Sequence, residues 1–265
     1  MTVAALLISN FAILAAIFVL LWLLSLALKD ASFVDIWWAF GMVVLAALSF
    51  FATGAPTTRK YLLLGLCAAW GLRLGFYILW RWLSHGPDPR YVAMLKDRQQ
   101  KHGWSFAKTA GLIVFALQMP LQFVVALPVQ LGMASSEPAA IGAVGWIGAA
   151  LSLFGILFES TADFHLAIFK ANPANKGKVL DSGVWRTTRH PNFFGEACVW
   201  WGLYLIAAET TMGLWALPGP VLITFLLTRF SGVPTVEESM KVKRPGYEAY
   251  VKRTSGFIPW FPKKL

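Results

Sequence analysis

Asp35, Arg73, Tyr77, Glu159, Asp163, His165 and Glu196 interrupt stretches of sequence that are otherwise apolar. An ionised group at the centre of a bilayer costs about 2.5–3.5 kcal/mol on insertion scales, so such residues default to a functional reading. Arg73 and Tyr77 are four apart, as are Glu159 and Asp163, and on a helix each pair shares a face. An arginine and several acids brought to one depth could line a polar cavity. A carboxyl carrying its proton there could donate to an oxygen on which charge develops. The plainer alternatives are an interfacial Asp35 following Lys29-Asp30, an Arg73 that neutralises a helix carboxylate, and a core histidine at His165, the reading preferred for that residue.

The densest run of chemistry-bearing residues is Ser182-Gly-Val-Trp-Arg-Thr-Thr-Arg189-His-Pro-Asn192-Phe-Phe-Gly-Glu196. Two arginines flank an imidazole, and an amide and a carboxylate follow just before an apolar stretch. Backbone N–H groups at a helix start, with arginine beside them, suit phosphates. Asn192 could read an amide or a ribose edge. A cationic loop that caps the next helix would explain Arg186 and Arg189, but not His190, Asn192 and Glu196 beside them.

The elements that must position these residues are membrane helices. Of the 265 residues 57% are hydrophobic and 14% charged, with mean hydropathy +0.61, whereas soluble domains are nearer a quarter charged. The apolar runs are continuous rather than alternating, which predicts helices and not a barrel. An all-α, polytopic membrane protein is expected, with seven transmembrane helices: Val3–Leu28, Phe33–Phe51, Tyr61–Leu83, Ala110–Leu131, Ala140–Phe169, Ala197–Ala208 and Met212–Thr228. The first run lacks a basic leader and a small-residue cleavage site, so it reads as a retained span. Pro120 and Pro128 predict a kink or an end in the fourth.

Of the 23 Lys and Arg, six lie from Arg81 to Lys108, five from Lys170 to Arg189 and eight from Arg229 to Lys264. The loops Ala134–Pro138 and Glu209–Thr211 hold none. This alternation predicts a cytoplasmic C-terminus and an outer N-terminus, with Arg59 and Lys60 as a local breach. The net charge of +10 is accounted for by topology, by contact with anionic membrane lipids and by an anionic cofactor. It implies no nucleic acid, and no protein partner is evident. Cys67 and Cys198 lie within spans, with neither metal-ligand spacing nor a disulfide framework. The Gly142–Gly148 stretch sits inside a span with no strand before it, so it reads as close helix packing and not as a dinucleotide fingerprint.

The segment Arg189–Glu196 resembles the C-terminal signature of membrane sterol and steroid reductases. Phe158-Glu-Ser-Thr-Ala-Asp163 with Lys170, the tail Val236-Glu-Glu-Ser-Met, Pro245-Gly-Tyr247-Glu-Ala-Tyr250 and Phe257-Ile-Pro-Trp260 are similar too. Upstream, Ser32-Phe-Val-Asp-Ile-Trp-Trp38 and Gly71-Leu-Arg-Leu-Gly-Phe-Tyr77 resemble the bacterial branch of the steroid 5α-reductase family. The resemblance covers nearly the whole chain and is most specific in its C-terminal half. It implies one integral membrane reductase domain over 1–265, with substrate-side spans in 1–131 and cofactor-binding spans, loops and tail in 140–265. The implied activity is NADPH-dependent reduction of the C=C bond of an enone lipid such as a 3-oxo-Δ4-steroid. The substrate would arrive from the bilayer and the cofactor from the cytoplasm, in a bacterial inner membrane.

By the same resemblance Asp35, a shorter acid at the position of the family's glutamate, polarises the substrate carbonyl with help from Trp37, Trp38 or Tyr77. Trp70 stands where the family has a tyrosine. Arg73, Arg90, Glu159, Asp163, Lys170, Trp185, Arg186, Arg189, His190, Asn192, Glu196, Glu238, Tyr247 and Tyr250 are the implied cofactor-binding residues. No metal is implied. Lys170 replaces an arginine, which keeps the charge and loses the bidentate fork. Two other classes remain open: an isoprenylcysteine-type methyltransferase using S-adenosylmethionine, which shares the Arg-His-Pro helix start and a glutamate-bearing tail, and a non-enzymatic sterol-binding protein. The charge distribution generates a first test. A C-terminal fusion reporter is expected to be active only on the cytoplasmic side, and activity only outside would overturn the assigned orientation.

Overall fold

Thr2 and Thr57 each turn a side-chain oxygen onto a backbone N–H three residues on, and a long apolar helix follows each cap. The computed structural model describes residues 1–135, 137–230 and 232–263; Lys264, the last cation of the tail, lies outside the described residues. Helices α1 (Val3–Leu28), α2 (Val34–Ala52) and α3 (Thr58–His85) open the chain. Next comes α4 (Pro89–His102), a polar helix with Asp88 as its N-cap and proline in its first turn. Then follow α5 (Phe106–Ala110), α6 (Ala116–Val125), α7 (Leu127–Met133), α8 (Ala143–Ala171) and α9 (Pro191–Ala207). The C-terminal part holds α10 (Thr211–Leu214), α11 (Pro218–Phe225), α12 (Val233–Lys243) and α13 (Tyr247–Arg253). Among the described residues there is no β-strand, only an isolated bridge between Thr188 and Ser255.

Six helical stretches are long and apolar enough to cross a membrane: Val3–Leu28, Val34–Ala52, Thr58–His85, Phe106–Val125, Ala143–Ala171 and Thr211–Lys243. The fourth runs unbroken past Pro120 because a π turn at Gly111–Phe115 joins α5 to α6; the interruption comes at Ala126, before Pro128. Helix α9 begins at Pro191 rather than at the expected Ala197, since a proline at the first helical position has its φ already set. Asn192 and Glu196 therefore lie on the helix, not in the loop before it. The 17 residues of α9 rise about 26 Å, and it packs against α3, α7, α8, α10 and α11.

Helices α8 and α9 touch backbone to backbone. A Cβ added at Gly155 would stand 2.5 Å from the Gly195 carbonyl, and one at Gly148 2.6 Å from that of Gly202. Ser152 Oγ donates to the Val199 carbonyl at 2.9 Å in the same seam. Small residues permit this approach where lipid provides no hydrophobic drive between helices. Elsewhere Asn10 of α1 donates to Ser49 Oγ (3.0 Å) and Gln130 Oε1 (3.1 Å), tying α2 and α7 to it.

Contacts gather the loops into two ends. At one, Asp30 accepts from Trp82 Nε1 (2.9 Å), and Ser32 Oγ accepts from the Asp88 N–H (3.0 Å). At the other, the buried Arg59 donates to the carbonyls of Pro138 (2.7 Å) and Ala140 (3.2 Å) and pairs with Glu209 at 3.3 Å. Glu209 also accepts from the N–H groups of Gly142 (3.1 Å) and Gly145 (2.7 Å), capping α8. Lys60 donates to the carbonyls of Thr53 and Ala55 beyond the end of α2. Arg59 and Lys60 thus spend their charge on protein acceptors, which accounts for cations in an otherwise cation-poor set of loops. Removing one partner of a buried pair costs about 3–5 kcal/mol. Glu209→Ala is expected to destabilise the detergent-solubilised protein by about 3 kcal/mol, read as a lower melting temperature, and an unchanged melting temperature would show the pair to be dispensable.

Candidate active site

Arg73 points from α3 toward α8. Its guanidinium lies 2.8 Å from Glu159 and 2.6 Å from Asp163, one helical turn apart. Glu159 also accepts from Trp70 Nε1 at 2.9 Å, and the Trp70 ring meets Trp200 edge-on at 5.4 Å. Glu196, one turn before Trp200 on α9, is buried, with Glu159, Arg73, Asp163 and Asp35 within electrostatic reach. Arg73, Glu159 and Asp163 therefore form one polar cluster between α3 and α8, with the buried Glu196 of α9 near it. The periodicity argument for Glu159 and Asp163 anticipates this face. It does not anticipate Trp70 as the donor to Glu159.

Asp35 stands in the first turn of α2. Its carboxylate accepts from Tyr91 Oη at 2.6 Å, and Tyr91 Oη accepts from Gln118 Nε2 at 3.0 Å. Tyr91 belongs to α4, in a segment that the sequence places between spans. Tyr77 instead stacks on Trp80, with ring centroids 6.1 Å apart, so Tyr91 supplies the hydroxyl at Asp35. The Trp38 carbonyl accepts from Gln122 Nε2 at 2.7 Å, and Trp37 Nε1 donates to Gln122 Oε1 at 3.1 Å. Arg90 forks onto Asp88 (2.8–3.2 Å) and lies 4.0 Å from Asp35. Burial raises the Asp88 pKa, but the Arg90 hydrogen bonds outweigh it and hold the carboxyl below its ordinary value.

The Ser182–Glu196 run is fastened to the C-terminal tail. Trp185 Nε1 donates to the Ala162 carbonyl (3.1 Å), and Tyr250 Oη donates to that of Trp185 (2.5 Å). Arg189 is held on both sides: its N–H donates to the Ser255 carbonyl (2.9 Å), and its guanidinium to Glu237 (2.8 Å) and the Thr254 carbonyl (2.8 Å). His190 lies 3.2 Å from the same Glu237 oxygen and stacks on Phe193. Burial lowers the His190 pKa, against the pull of Glu237. Tyr247 is buried beside them, its hydroxyl pushed up to about 12 by burial. The tail acid in this cluster is Glu237; Glu238, named from the sequence, is exposed on α12. Arg186 and Lys170 are exposed, and Asn192 is half-buried with no side-chain hydrogen bond among the described residues.

The arrangement divides in two. The Arg189–His190–Glu237 knot is committed to protein partners and fixes how α9 starts. Asp35 with Tyr91, the Arg73 cluster and the amide of Asn192 are the parts that could meet a ligand. Sequence reasoning missed Tyr91, Gln118 and Glu237. The proline and acidic cap that start α4 were the available signal for Tyr91.

The family profile described as "Protein of unknown function (DUF1295)" matches residues 21–254. The "Uncharacterized protein C594.04c" of Schizosaccharomyces pombe is 25% identical over 272 residues, covering 90% of this chain and 75% of the yeast protein. No solved structure matches the chain significantly.

The two adjacent tail glutamates provide a paired test. Glu237→Ala leaves Arg189 and His190 short of a partner that is only 16% exposed, and hydrogen bonds to charged groups are worth about 1.5–3 kcal/mol. It is expected to lower stability by about 2 kcal/mol in thermal denaturation, whereas Glu238→Ala stays within about 0.5 kcal/mol of the parent. Equal effects would contradict the assigned pairing.

Proposed function

The chain belongs to the DUF1295 family, and for this member we propose NADPH-dependent reduction of the C=C bond of an enone lipid, specifically a 3-oxo-Δ4-steroid. The observation that carries the reading is the Tyr91 hydroxyl on the Asp35 carboxyl at 2.6 Å, next to the Arg73 cluster and at the end of the bundle where the cationic loops gather. The steroid 5α-reductase-like segments described above support the same chemistry. On this reading α9 is a seventh crossing, the N-terminus lies outside, and the site faces the cytoplasm of a bacterial inner membrane.

NADPH, when bound, would supply a hydride for the β-carbon of the enone, and solvent would supply the proton for the α-carbon. Charge grows on the carbonyl oxygen in between, so donors placed at that oxygen lower the barrier. Asp35, carrying a proton, is such a donor; Tyr91, which gives its one hydroxyl proton to the other Asp35 oxygen and is oriented by Gln118, holds the carboxyl in place. Asn192 fits the cofactor because its half-buried amide has no partner among the described residues, and Arg186 because it is exposed and in no ion pair among them. Arg189 and His190 would act by fixing the start of α9, since their donors are already occupied. The apolar faces of the bundle suit a substrate that enters from lipid.

The Glu237–His190 contact at 3.2 Å equally suits the glutamate-bearing tail of an isoprenylcysteine-type methyltransferase, so the test includes both cofactors. NADPH, and not S-adenosylmethionine, is expected to raise the melting temperature of the purified protein. Asp35→Ala is expected to lower turnover of a 3-oxo-Δ4-steroid by about 10²–10³ while NADPH protection survives. Tyr91→Phe removes one hydrogen bond and should cost about tenfold or more. Protection by S-adenosylmethionine alone would overturn the reductase in favour of the methyltransferase, and protection by neither with sterol binding intact would favour a binding protein. Wild-type turnover per folded molecule in both variants would remove Asp35 and Tyr91 from the chemistry.

A further inference from the structure

Lys170, Lys176 and Arg244 converge on a cavity of about 220 Å³ beside the end of α8. Its walls include Phe169, Asn172 and Asn175. The two asparagines are already used: Asn172 accepts from the Ala174 N–H at 3.0 Å, and Asn175 donates to the Phe169 carbonyl at 3.0 Å. They shape the loop and leave the cations to face the space. Among the described residues none of the three cations is in an ion pair.

Lys170 alone would need no ligand, because a cation in the last turn of a helix is favoured by its dipole. Arg244, the C-cap of α12, shares that account, but Lys176, which follows a separate short turn, does not, and neither helix end explains why the three converge. Arg81 and Arg90 also lie within electrostatic reach of Lys170, with Asp88 and Asp163 as opposing acids; Asp88 is already forked by Arg90 and Asp163 is already paired with Arg73. With both acids engaged by arginines, the cations around the cavity repel one another, and a phosphate group relieves them. The volume lies below the roughly 300–1,000 Å³ of sites that enclose whole small molecules, so the cavity fits one charged end of something larger. Arg90, within electrostatic reach of Lys170, lies 4.0 Å from Asp35.

We propose that Lys170, Lys176 and Arg244 bind a phosphate monoester, and that its source is the 2′-phosphate of the dinucleotide. The choice of source rests on the reductase reading; the phosphate chemistry does not. A lipid phosphomonoester carries the same group, so the test separates the two. The full-length protein in neutral detergent would be titrated with adenosine 2′,5′-bisphosphate and with adenosine 5′-monophosphate, reading affinity by calorimetry. Wild type should prefer the bisphosphate, and Lys176→Gln/Arg244→Gln should lose that preference by about tenfold for each charge removed, with an unchanged melting temperature in the absence of ligand. The same two proteins would be placed in phosphatidylcholine nanodiscs with and without phosphatidic acid. Melting-temperature protection by phosphatidic acid that the double variant loses, without bisphosphate preference, would keep the phosphate site and overturn the dinucleotide as its source. Equal affinities of wild type and variant for every probe would overturn the site itself, whether or not the protein reduces steroids.

Discussion

A guanidinium shared by two carboxylates across helices α3 and α8 is the constraint around which this protein is built. Arg73 meets Glu159 and Asp163 at 2.8 and 2.6 Å, in a bundle whose outer surface is apolar. A guanidinium keeps its charge even in such surroundings, so its burial is costly without carboxylate partners. Together they fix the rotation of α3 against α8, and Trp70 completes the arrangement by donating to Glu159. The close seam between α8 and α9 then brings Glu196 to the same depth. Packing and electrostatics are therefore not separate layers here: the glycine contacts set how near the acids can come.

The second organising feature is the way segments outside the bundle reach into it. Helix α4 brings Tyr91 to Asp35, and the C-terminal tail holds Arg189 and His190 through Glu237. Both devices place a polar side chain by docking a short helix rather than by extending a long one. The helices that cross the apolar region provide acids and an arginine. The hydroxyl, the amide and the phosphate-seeking cations come from their ends and from the loops.

Much of this was legible in the residues. Uninterrupted apolar runs identify helices, and four-residue spacing puts Glu159 and Asp163 on one face. What was not legible depended on phase and on contacts distant in sequence. Choosing Glu237 over Glu238 requires knowing the rotation of α12, which follows a π turn at Leu226–Phe230 that shifts the helical register. Tyr91 lies on a polar helix with no apolar run to advertise it. Tyr77, four residues from Arg73, looked like a partner but turns to stack on Trp80. Arg59 and Lys60 defied the charge rule because that rule counts charges and cannot see a buried pair with Glu209. The apolar run from Ala197 marks only the later part of α9, whose first turns from Pro191 carry Asn192 and Glu196.

Arg73 and Asp163 are 90 residues apart in the chain, and this sets a problem of timing during synthesis. At about 5–20 residues per second the ribosome needs roughly 5–20 s to deliver the acid after the arginine. Throughout that interval α3 exists without its counter-charges. With 28 residues and a rise of about 1.5 Å each, it is some 42 Å long, well beyond the roughly 30 Å of hydrocarbon. The nascent helix can therefore slide or tilt until Arg73 extends its stem toward the headgroups. Arrival of α8 then draws the arginine inward, so the final depth of α3 is decided by a helix made later.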